Sequence, residues 1–360
     1  MFILTFYNPN EGDLANSALA DMRPWSHKVI PIPLSLTKTR IILSHLKRLT
    51  GIPQIASLHR NAKFSNHITE IIRREKIDIV ICQFPQMAQY INDIRNVRTV
   101  MDVSDAFSVS FWRRFSSESA TIKKALAFAE WLSWVRYERR HYPKFDIVMC
   151  LSEQDKFGLS LFSPTVKAVT ITAPIGEVQA VRRPSTPGQR IGFFGSFSHL
   201  PNVEAVVWFL EHVLPLVEAR IPTVQFHIAG AGLPSNVTSR LPGNTSYHGY
   251  VDDLGAFIGD CDVVVAPLLS GGGVKIKTLQ ALQYGAPLVT TSIGAEGVDI
   301  EDGENALIRN GAEKFADAVA QILRNPDLAT RLSESAKSKT HTNKSQLTIE
   351  NSIKKAIIGE

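Results

Sequence analysis

Three glycines and two lysines stand together within residues 270–285, SGGGVKIKTLQALQYG. The segment follows the apolar run CDVVVAPL at 261–268, which predicts a buried strand, and it leads into a helix predicted over 274–284. A glycine-rich turn that enters a helix exposes unpaired N–H groups at the positive end of the helix dipole, and such turns bind phosphate. Lysine is unfavourable in a first helical turn, so Lys275 and Lys277 indicate an anion there.

The helical spacing also predicts which side chains share a face. Lys277, Gln280 and Tyr284 recur at i, i+3 and i+7 and are predicted on one face. Ile276, Leu279 and Leu282 are predicted to turn toward the sheet. The sequence therefore predicts a phosphate site with Gln280 beside it.

The length of 360 residues predicts two domains rather than one. We find no run of 18 apolar residues and expect no membrane span. The first run, MFILTFY, has no basic residues before it and predicts a strand rather than a leader. The three cysteines have no CxxC spacing and are expected in the core, in a reducing cytoplasm, so no metal is expected.

Positive charge is concentrated in the first half of the chain. Residues 1–180 hold 23 lysines and arginines against 16 acids, although the whole chain has a net charge of only +5. The segment 122–144 has a helical period and mixes tryptophans with basic residues. Such a helix is typical of an anionic membrane surface, and equally of a core helix with a solvated basic face. No nucleic-acid motif is present.

Apolar strand-like runs alternate with helical segments along both halves of the chain. This alternation predicts parallel sheets covered on both faces. The proline-rich AVRRPSTPGQR at 180–190 breaks the rhythm. We therefore predict two Rossmann-like α/β domains, over 1–180 and 185–340, with a terminal helix at 341–360 that packs back on the first domain.

Several segments resemble the group 1 (family 4) glycosyltransferases of the GT-B fold. In the second half these are GFFGSFSHLPN from 192, FHIAGAGLP and the specific stretch 248–297. In the first half, YNPNEGDLANSALADM, DVSDAFS and RYERRHYPKFDIVMCLSEQD are similar more loosely. The nearest likeness is to the branch that assembles bacterial exopolysaccharides and surface glycans, and it extends over nearly the whole chain.

The resemblance implies a retaining, metal-independent transfer of a sugar from a nucleotide-diphosphate donor to an acceptor hydroxyl. It implies parallel-sheet domains that face each other across a cleft, and no cofactor beyond the donor. The acceptor is expected to be a glycan or a lipid-linked glycan, with the protein in the cytoplasm or peripherally on the inner membrane face. The base, the sugar, the acceptor and the linkage are not specified.

The resemblance also implies roles for particular residues. Lys275 and Lys277 would hold the diphosphate and stabilise the leaving group, with Asp105 as a sugar-side acid. The turn 249–251 would face the base, and Gln280 the ribose. The other positions implied to line the donor site are Gly12, Asp13, Gly195, Ser196, Tyr250, Val251, Gly271, Gly272 and Gly273.

Four features of the sequence depart from the family pattern. Many relatives carry two glutamates eight positions apart, where this chain has Gly272 and Gln280. Ser104 replaces the histidine of a D-x-H-D turn, and SFSHLPN lacks the usual arginine and lysine, offering only His199. The segment APIGEV, at 173–178, lacks an asparagine.

Three hypotheses follow from these residues. The chain is an active retaining glycosyltransferase, or a catalytically weak relative that acts as a binding or assembly partner. The third hypothesis is another two-domain Rossmann-like enzyme, such as a dinucleotide-dependent one. It is the weakest because no GxGxxG opens a helix after the first strand.

Overall fold

The computed structural model describes residues 1–9, 12–47, 50–171, 189–343 and 354, and the described residues form two compact units that divide after Ile171. The predicted linker lies almost wholly outside the described residues, as do APIGEV and most of the predicted terminal helix. The proposed packing of that helix therefore stays a prediction.

The strands of the first domain pair in parallel throughout. They are β1 (Phe2–Tyr7), β2 (Lys28–Pro33), β3 (Ile79–Gln83), β4 (Arg98–Val103), β5 (Ile147–Cys150) and β6 (Ala168–Thr170). β1 pairs with β2, and the other four form a sheet in the order β3-β4-β5-β6. β2 and β6 were not predicted: two prolines interrupt the first, and the second has three residues.

The helices of the first domain cover these strands. They are α1 (Asp13–Met22), α2 (Lys38–Lys47), α3 (Gln54–Leu58), α4 (Ala62–Glu75), α5 (Phe107–Ser117), α6 (Thr121–His141) and α7 (Glu153–Phe162). α5 and α6 form an antiparallel hairpin, since Phe107 stacks edge-on against Trp134 and Phe115 contacts Phe128. Trp134 and Tyr137 are buried in the core, so the second half of α6 is a core helix.

The second domain has one six-stranded parallel sheet. Its strands are β7 (Arg190–Phe194), β8 (Gln225–Ala229), β9 (Thr245–Tyr247), β10 (Val263–Ala266), β11 (Leu288–Thr290) and β12 (Leu307–Ile308). Their order is β12-β11-β10-β7-β8-β9, so the chain reverses its direction across the sheet between β7 and β10. Ligands of such sheets bind beyond the carboxyl ends of the strands at this reversal.

Helices pack on both faces of this sheet. They are α8 (Leu200–Trp208), α9 (Leu214–Arg220), α10 (Ser235–Thr238), α11 (Leu254–Gly259), α12 (Ile276–Gln283), α13 (Ala312–Arg324) and α14 (Pro326–Asn343). A π-helical segment, Phe209–Val213, joins α8 to α9. The core contains inward residues of β7, β8 and β10 with the apolar faces of α8, α9 and α13. Cys82, Cys150 and Cys261 are buried, as expected.

One helical run among the described residues, Leu200–Arg220, is long and apolar enough to cross a membrane by length and composition. Phe209, Val213 and Val217 of this run are fully buried in the core of the second domain. This burial accounts for its apolar composition, because a core helix of a folded domain carries the same residues.

Candidate functional site

The turns that follow β7 and β10 meet at the reversal point of the second sheet. β10 lies beside β7, with Val264 opposite Gly192. A side chain added at Gly271, in the turn after β10, would lie 3.6 Å from Pro201, in the first turn of α8. The glycine turn predicted from sequence and the turn that begins at Gly195 are therefore neighbours, at the edge where this fold binds ligands.

Lys277 extends from α12 to the turn after β7. Its ammonium donates a hydrogen bond to Asn202 Oδ1 at 2.5 Å and lies 4.0 Å from the centre of the Phe193 ring. A Cβ atom on Gly195 would lie 2.9 Å from this ammonium, so only glycine admits the lysine there. Asn202 also donates to the backbone oxygen of Ser196 at 2.7 Å, which fixes the turn and the lysine together.

Burial of the ammonium lowers the pKa of Lys277 from its ordinary value of 10.5 to about 7. The side chain as a whole is half-buried, but its charged end rests on an aromatic face instead of in water. An anion placed here would favour the charged form and raise the pKa again. Lys277 is therefore poised to become charged when an anionic ligand binds.

Lys275 has a different position from its neighbour. It is 6% exposed, and its ammonium donates to the carbonyl oxygens of Gly272 at 2.6 Å and Gly273 at 3.2 Å. It also lies 3.9 Å from a carboxylate oxygen of Glu296. The charge of Lys275 thus holds the glycine turn in shape, and in this structure it faces the turn's carbonyls.

The turns after β8 and β9 support the turn after β7. Gly230 donates its N–H to Gly249 O at 2.6 Å, and Tyr247 donates its hydroxyl to Gly230 O at 2.8 Å. A Cβ on Gly230 would lie 1.9 Å from Gly195 O, so this close approach requires glycine. Beyond these turns Tyr250 is 75% exposed, a flat aromatic side chain presented to solvent.

The described side chains correct part of the prediction for α12. The helix begins at Ile276 because Lys275 has a non-helical backbone (φ −81°, ψ 83°), two residues later than predicted. Leu279 and Leu282 face the core as predicted, but Ile276 is 44% exposed, so its predicted inward direction was wrong. Gln280 and Lys277 are both half-buried, Ser196 is exposed, and Val251 packs against the core.

The predicted residues of the first domain lie at the carboxyl ends of its strands. Gly12, with φ 50°, precedes α1, which begins at Asp13, whose side chain lies outside the described set. Asp105 follows β4, and its carboxylate accepts a hydrogen bond from Ser110 Oγ at 2.8 Å. These positions belong to the first domain, so the structure brings together only the residues of the second.

Sequence reasoning missed a buried carboxylate behind the β4–α5 loop. Glu138 of α6 is fully buried and accepts a hydrogen bond from the backbone N–H of Ser108 at 3.0 Å, at the start of α5. Burial raises its pKa to about 7, and the negative charge of Asp105 adds to the rise. Its other oxygen has no hydrogen-bond partner among the described residues. An acid inside the apolar run WLSWVRYE was the available signal.

Asn202 was also missed, because SFSHLPN was searched only for arginine and lysine. His199, the one basic side chain in that segment, has a lowered pKa caused by burial and by the charges of Lys277 and Lys275. Within the described ranges, no group of three histidine, cysteine, aspartate or glutamate side chains is placed to hold a metal.

Comparisons with known proteins find similarity to the second domain and to most of the chain. Residues 188–325 match the family described as glycosyl transferases group 1. A Klebsiella pneumoniae protein described as an uncharacterized 44.6 kDa protein in the cps region is 24% identical over 282 residues, which cover 73% of this chain and 70% of that protein.

The fold is shared with solved structures of low sequence identity. TarM has a TM-score of 0.65 at 17% identity, over 80% of this chain and 57% of TarM, so the chain spans little more than half of that protein. Anabaena HepE, solved in complex with UDP-glucose, has a TM-score of 0.65 at 13% identity over 100% of both chains. The prediction of two parallel-sheet domains of the GT-B type is confirmed.

Proposed function

We propose, from the group 1 glycosyltransferase module at residues 188–325, that this chain is a retaining glycosyltransferase which moves a sugar from a nucleotide-diphosphate donor to an acceptor hydroxyl. The relative from a cps region supports a role in the assembly of a bacterial surface glycan. The solved structure of HepE with UDP-glucose supports a nucleotide sugar as the donor.

The position of Lys277 is the observation that carries this proposal. Its ammonium lies at the reversal point of the sheet, beside the bare backbone of Gly195 and next to the glycine turn. A diphosphate bound there would exchange the lysine's bond to Asn202 for bonds to phosphate oxygens. Positive charge at this point stabilises the nucleotide diphosphate as it leaves the sugar, when the stabilisation accelerates the reaction.

Lys277 also accounts for one departure from the family pattern. The segment after β7 has no arginine or lysine, but the ammonium from α12 reaches that turn. We propose that the charge normally provided by the first turn comes here from the helix. With this charge in the protein, we propose that transfer needs neither a metal ion nor a cofactor.

Further roles are assigned to the surrounding residues. We propose that Lys275 positions the glycine turn so that the N–H groups of Gly271–Gly273 face the phosphates. Gln280 would hydrogen-bond the ribose, and the exposed Tyr250 would stack on the base. Asp105 of the first domain would contact the sugar. The acceptor would be a glycan or lipid-linked glycan on the cytoplasmic side of the membrane.

A nucleotide panel tests the proposal directly. The melting temperature of the chain should rise with one nucleoside diphosphate, because ligands that bind only the folded state stabilise it by mass action. The corresponding nucleoside should give a smaller rise, and Lys277→Met should reduce the difference between the two. Equal rises for nucleoside and diphosphate in the natural protein would contradict a diphosphate site at Lys277.

The alternative of a catalytically weak binding partner remains tied to Gly272 and Gln280, which replace two glutamates of many relatives. Hydrolysis of the nucleotide sugar, with retention at the anomeric carbon, separates the two. A protein that binds the donor but neither transfers nor hydrolyses it, with any acceptor glycan tested, is the weak relative.

A further inference from the structure

The end of the α5–α6 hairpin exposes an unusual amount of apolar surface. Four rings form a closed set of contacts, with centroid separations of 5.0–5.5 Å: Trp112, Phe115, Phe128 and Trp131. Around them large apolar side chains are exposed to solvent, namely Trp112 at 41%, Ile122 at 78%, Leu126 at 54% and Phe128 at 42%. We call the segment 112–128 the hairpin tip.

The apolar surface continues onto the neighbouring helix. Phe162 of α7 contacts Trp131 at 5.8 Å and Trp112 at 6.5 Å. On the same helix Phe157 and Leu161 are 65% and 60% exposed. Contiguous exposed apolar surface of this kind marks a place where a soluble protein contacts a partner or a membrane.

The charges of the hairpin tip define the partner. The hairpin tip contains four basic residues, Arg113, Arg114, Lys123 and Lys124, and one acid, Glu118. Lys124 lies 5.5 Å from the centre of the Phe115 ring, and Lys123 is exposed in the first turn of α6. Cations are unfavourable at a helix amino terminus, so these lysines do not serve helix stability.

We propose that the hairpin tip docks on an anionic phospholipid surface. Aromatic and aliphatic side chains that enter the interface, with lysines and arginines beside them, form the combination that anionic bilayers bind. A second copy of this chain fits less well, because a symmetric contact would place four positive charges opposite four more. The proposal does not depend on the donor site, since none of its residues contributes to that site.

This surface differs from the one that the sequence indicated. The sequence pattern included Trp134, Tyr137, Arg139 and Arg140, at the other end of α6. Trp134 and Tyr137 are buried in the core, and Arg139 donates from Nε to the backbone oxygen of Phe162. Only the first half of α6, together with α5, presents exposed apolar and basic side chains on one surface.

Flotation of the full chain with lipid vesicles tests the proposal. The chain should float with phosphatidylcholine vesicles that contain phosphatidylglycerol, and much less with phosphatidylcholine alone. Removing one lysine should weaken binding about fivefold, so Lys123→Gln with Lys124→Gln should weaken it about 25-fold. Raising the salt concentration should give a similar loss, because it screens the same charges.

Two further variants make the result specific to the hairpin tip. Arg73→Gln with Arg74→Gln removes the same charge from exposed positions of another helix, α4, and should bind vesicles like the natural chain. Ile122→Ser with Leu126→Ser should reduce binding at every salt concentration. Melting temperatures of these variants, measured without lipid, establish that each one is folded.

Three outcomes would overturn the proposal. They are no binding to phosphatidylglycerol vesicles, an equal loss of binding in the α4 and hairpin-tip charge variants, and a dimer in solution that the tip variants abolish. The last outcome would assign the surface to a second copy of the chain. Vesicle binding that survives Lys277→Met shows that docking and donor binding are separate, so that the failure of one is distinguishable from the failure of the other.

Discussion

Donor binding should consume a proton at Lys277, and this follows from where its ammonium lies. In the structure the charged end rests on Phe193, and burial lowers the pKa of Lys277 to about 7. A bound diphosphate would supply negative charge and return the pKa toward its ordinary value. Without a bound ligand, Lys277 is therefore neutral in about half of the protein molecules near pH 7, and in most of them above that pH.

The size of the effect follows from the pKa. If only the charged form binds the diphosphate, the dissociation constant should be about tenfold higher at pH 8 and about a hundredfold higher at pH 9 than at low pH. Titration calorimetry in two buffers with different ionisation enthalpies should detect the proton taken up. The donor sugar nucleotide is the better ligand for this measurement, because a free terminal phosphate changes its own charge near pH 6, at about its second pKa.

Two variants test whether the pH dependence of donor binding arises from the charge of Lys277. Lys277→Arg stays charged at every pH tested, so its affinity should not fall above pH 7. Lys277→Met is never charged and should bind weakly with no pH dependence. Affinity of the natural protein that stays constant from pH 7 to pH 9 would refute the reasoning, and so would a slope that persists in Lys277→Arg.

Three more predictions address the neighbouring residues. Lys275→Met should lower the melting temperature of the free protein, because it removes two buried charge-assisted hydrogen bonds worth about 1–3 kcal/mol each, whereas Lys277→Met should raise stability near pH 7. Gln280→Ala should weaken donor binding about fivefold to tenfold, and a deoxyribose donor should then lose little more; simple addition of the two losses would show that Gln280 does not contact the ribose. Denaturant unfolding at pH 8 should show Glu138→Gln to be more stable than the natural protein, on the order of 1–3 kcal/mol, with no gain at pH 4.

The direction in which pH changes the stability of the protein through Glu138 and Lys277 follows from the shift in each residue's pKa on folding. Glu138 has a raised pKa in the folded state. Its protonated carboxyl therefore contributes fully to the stability of the protein below pH 4.5, and this contribution is lost as the pH rises through about 7. Lys277 has a lowered pKa, so the stability of the free protein should rise between about pH 7 and pH 10.5. A stability profile that lacks both changes would contradict the burial of these two groups.

The sequence predicted the strands that border the site well, because continuous apolar runs such as CDVVVAPL are characteristic of buried parallel strands. The short β12 was missed because two residues leave no periodic signal, and β2 was missed because two prolines interrupt its apolar pattern. Placing the glycine turn at the end of β10 was correct. The direction of Ile276 was wrong, because the helix starts later than the pattern suggests.

The turns of the candidate site could be predicted from sequence more easily than the positions of its charged groups. Lys275 and Lys277 look equivalent in the sequence, two residues apart in one predicted turn. In the structure one ammonium binds the carbonyls of its own turn, while the other reaches the turn after β7. That difference depends on Asn202 and Gly195, more than 70 residues away, and no local pattern contains it.

The missing basic residues after β7 are therefore weak evidence against donor binding. A charge contributes through the position of its ammonium, and α12 delivers one to the turn where SFSHLPN has none. Because this ammonium comes from α12, it rests on Phe193 when no anion is bound. Burial at that position favours the neutral form of Lys277. A molecule in which this lysine is neutral must gain a proton before the lysine can pair with the anion. The contacts that we propose compensate for the missing residues should therefore make donor binding depend on pH, which an exposed arginine in the first turn would not do.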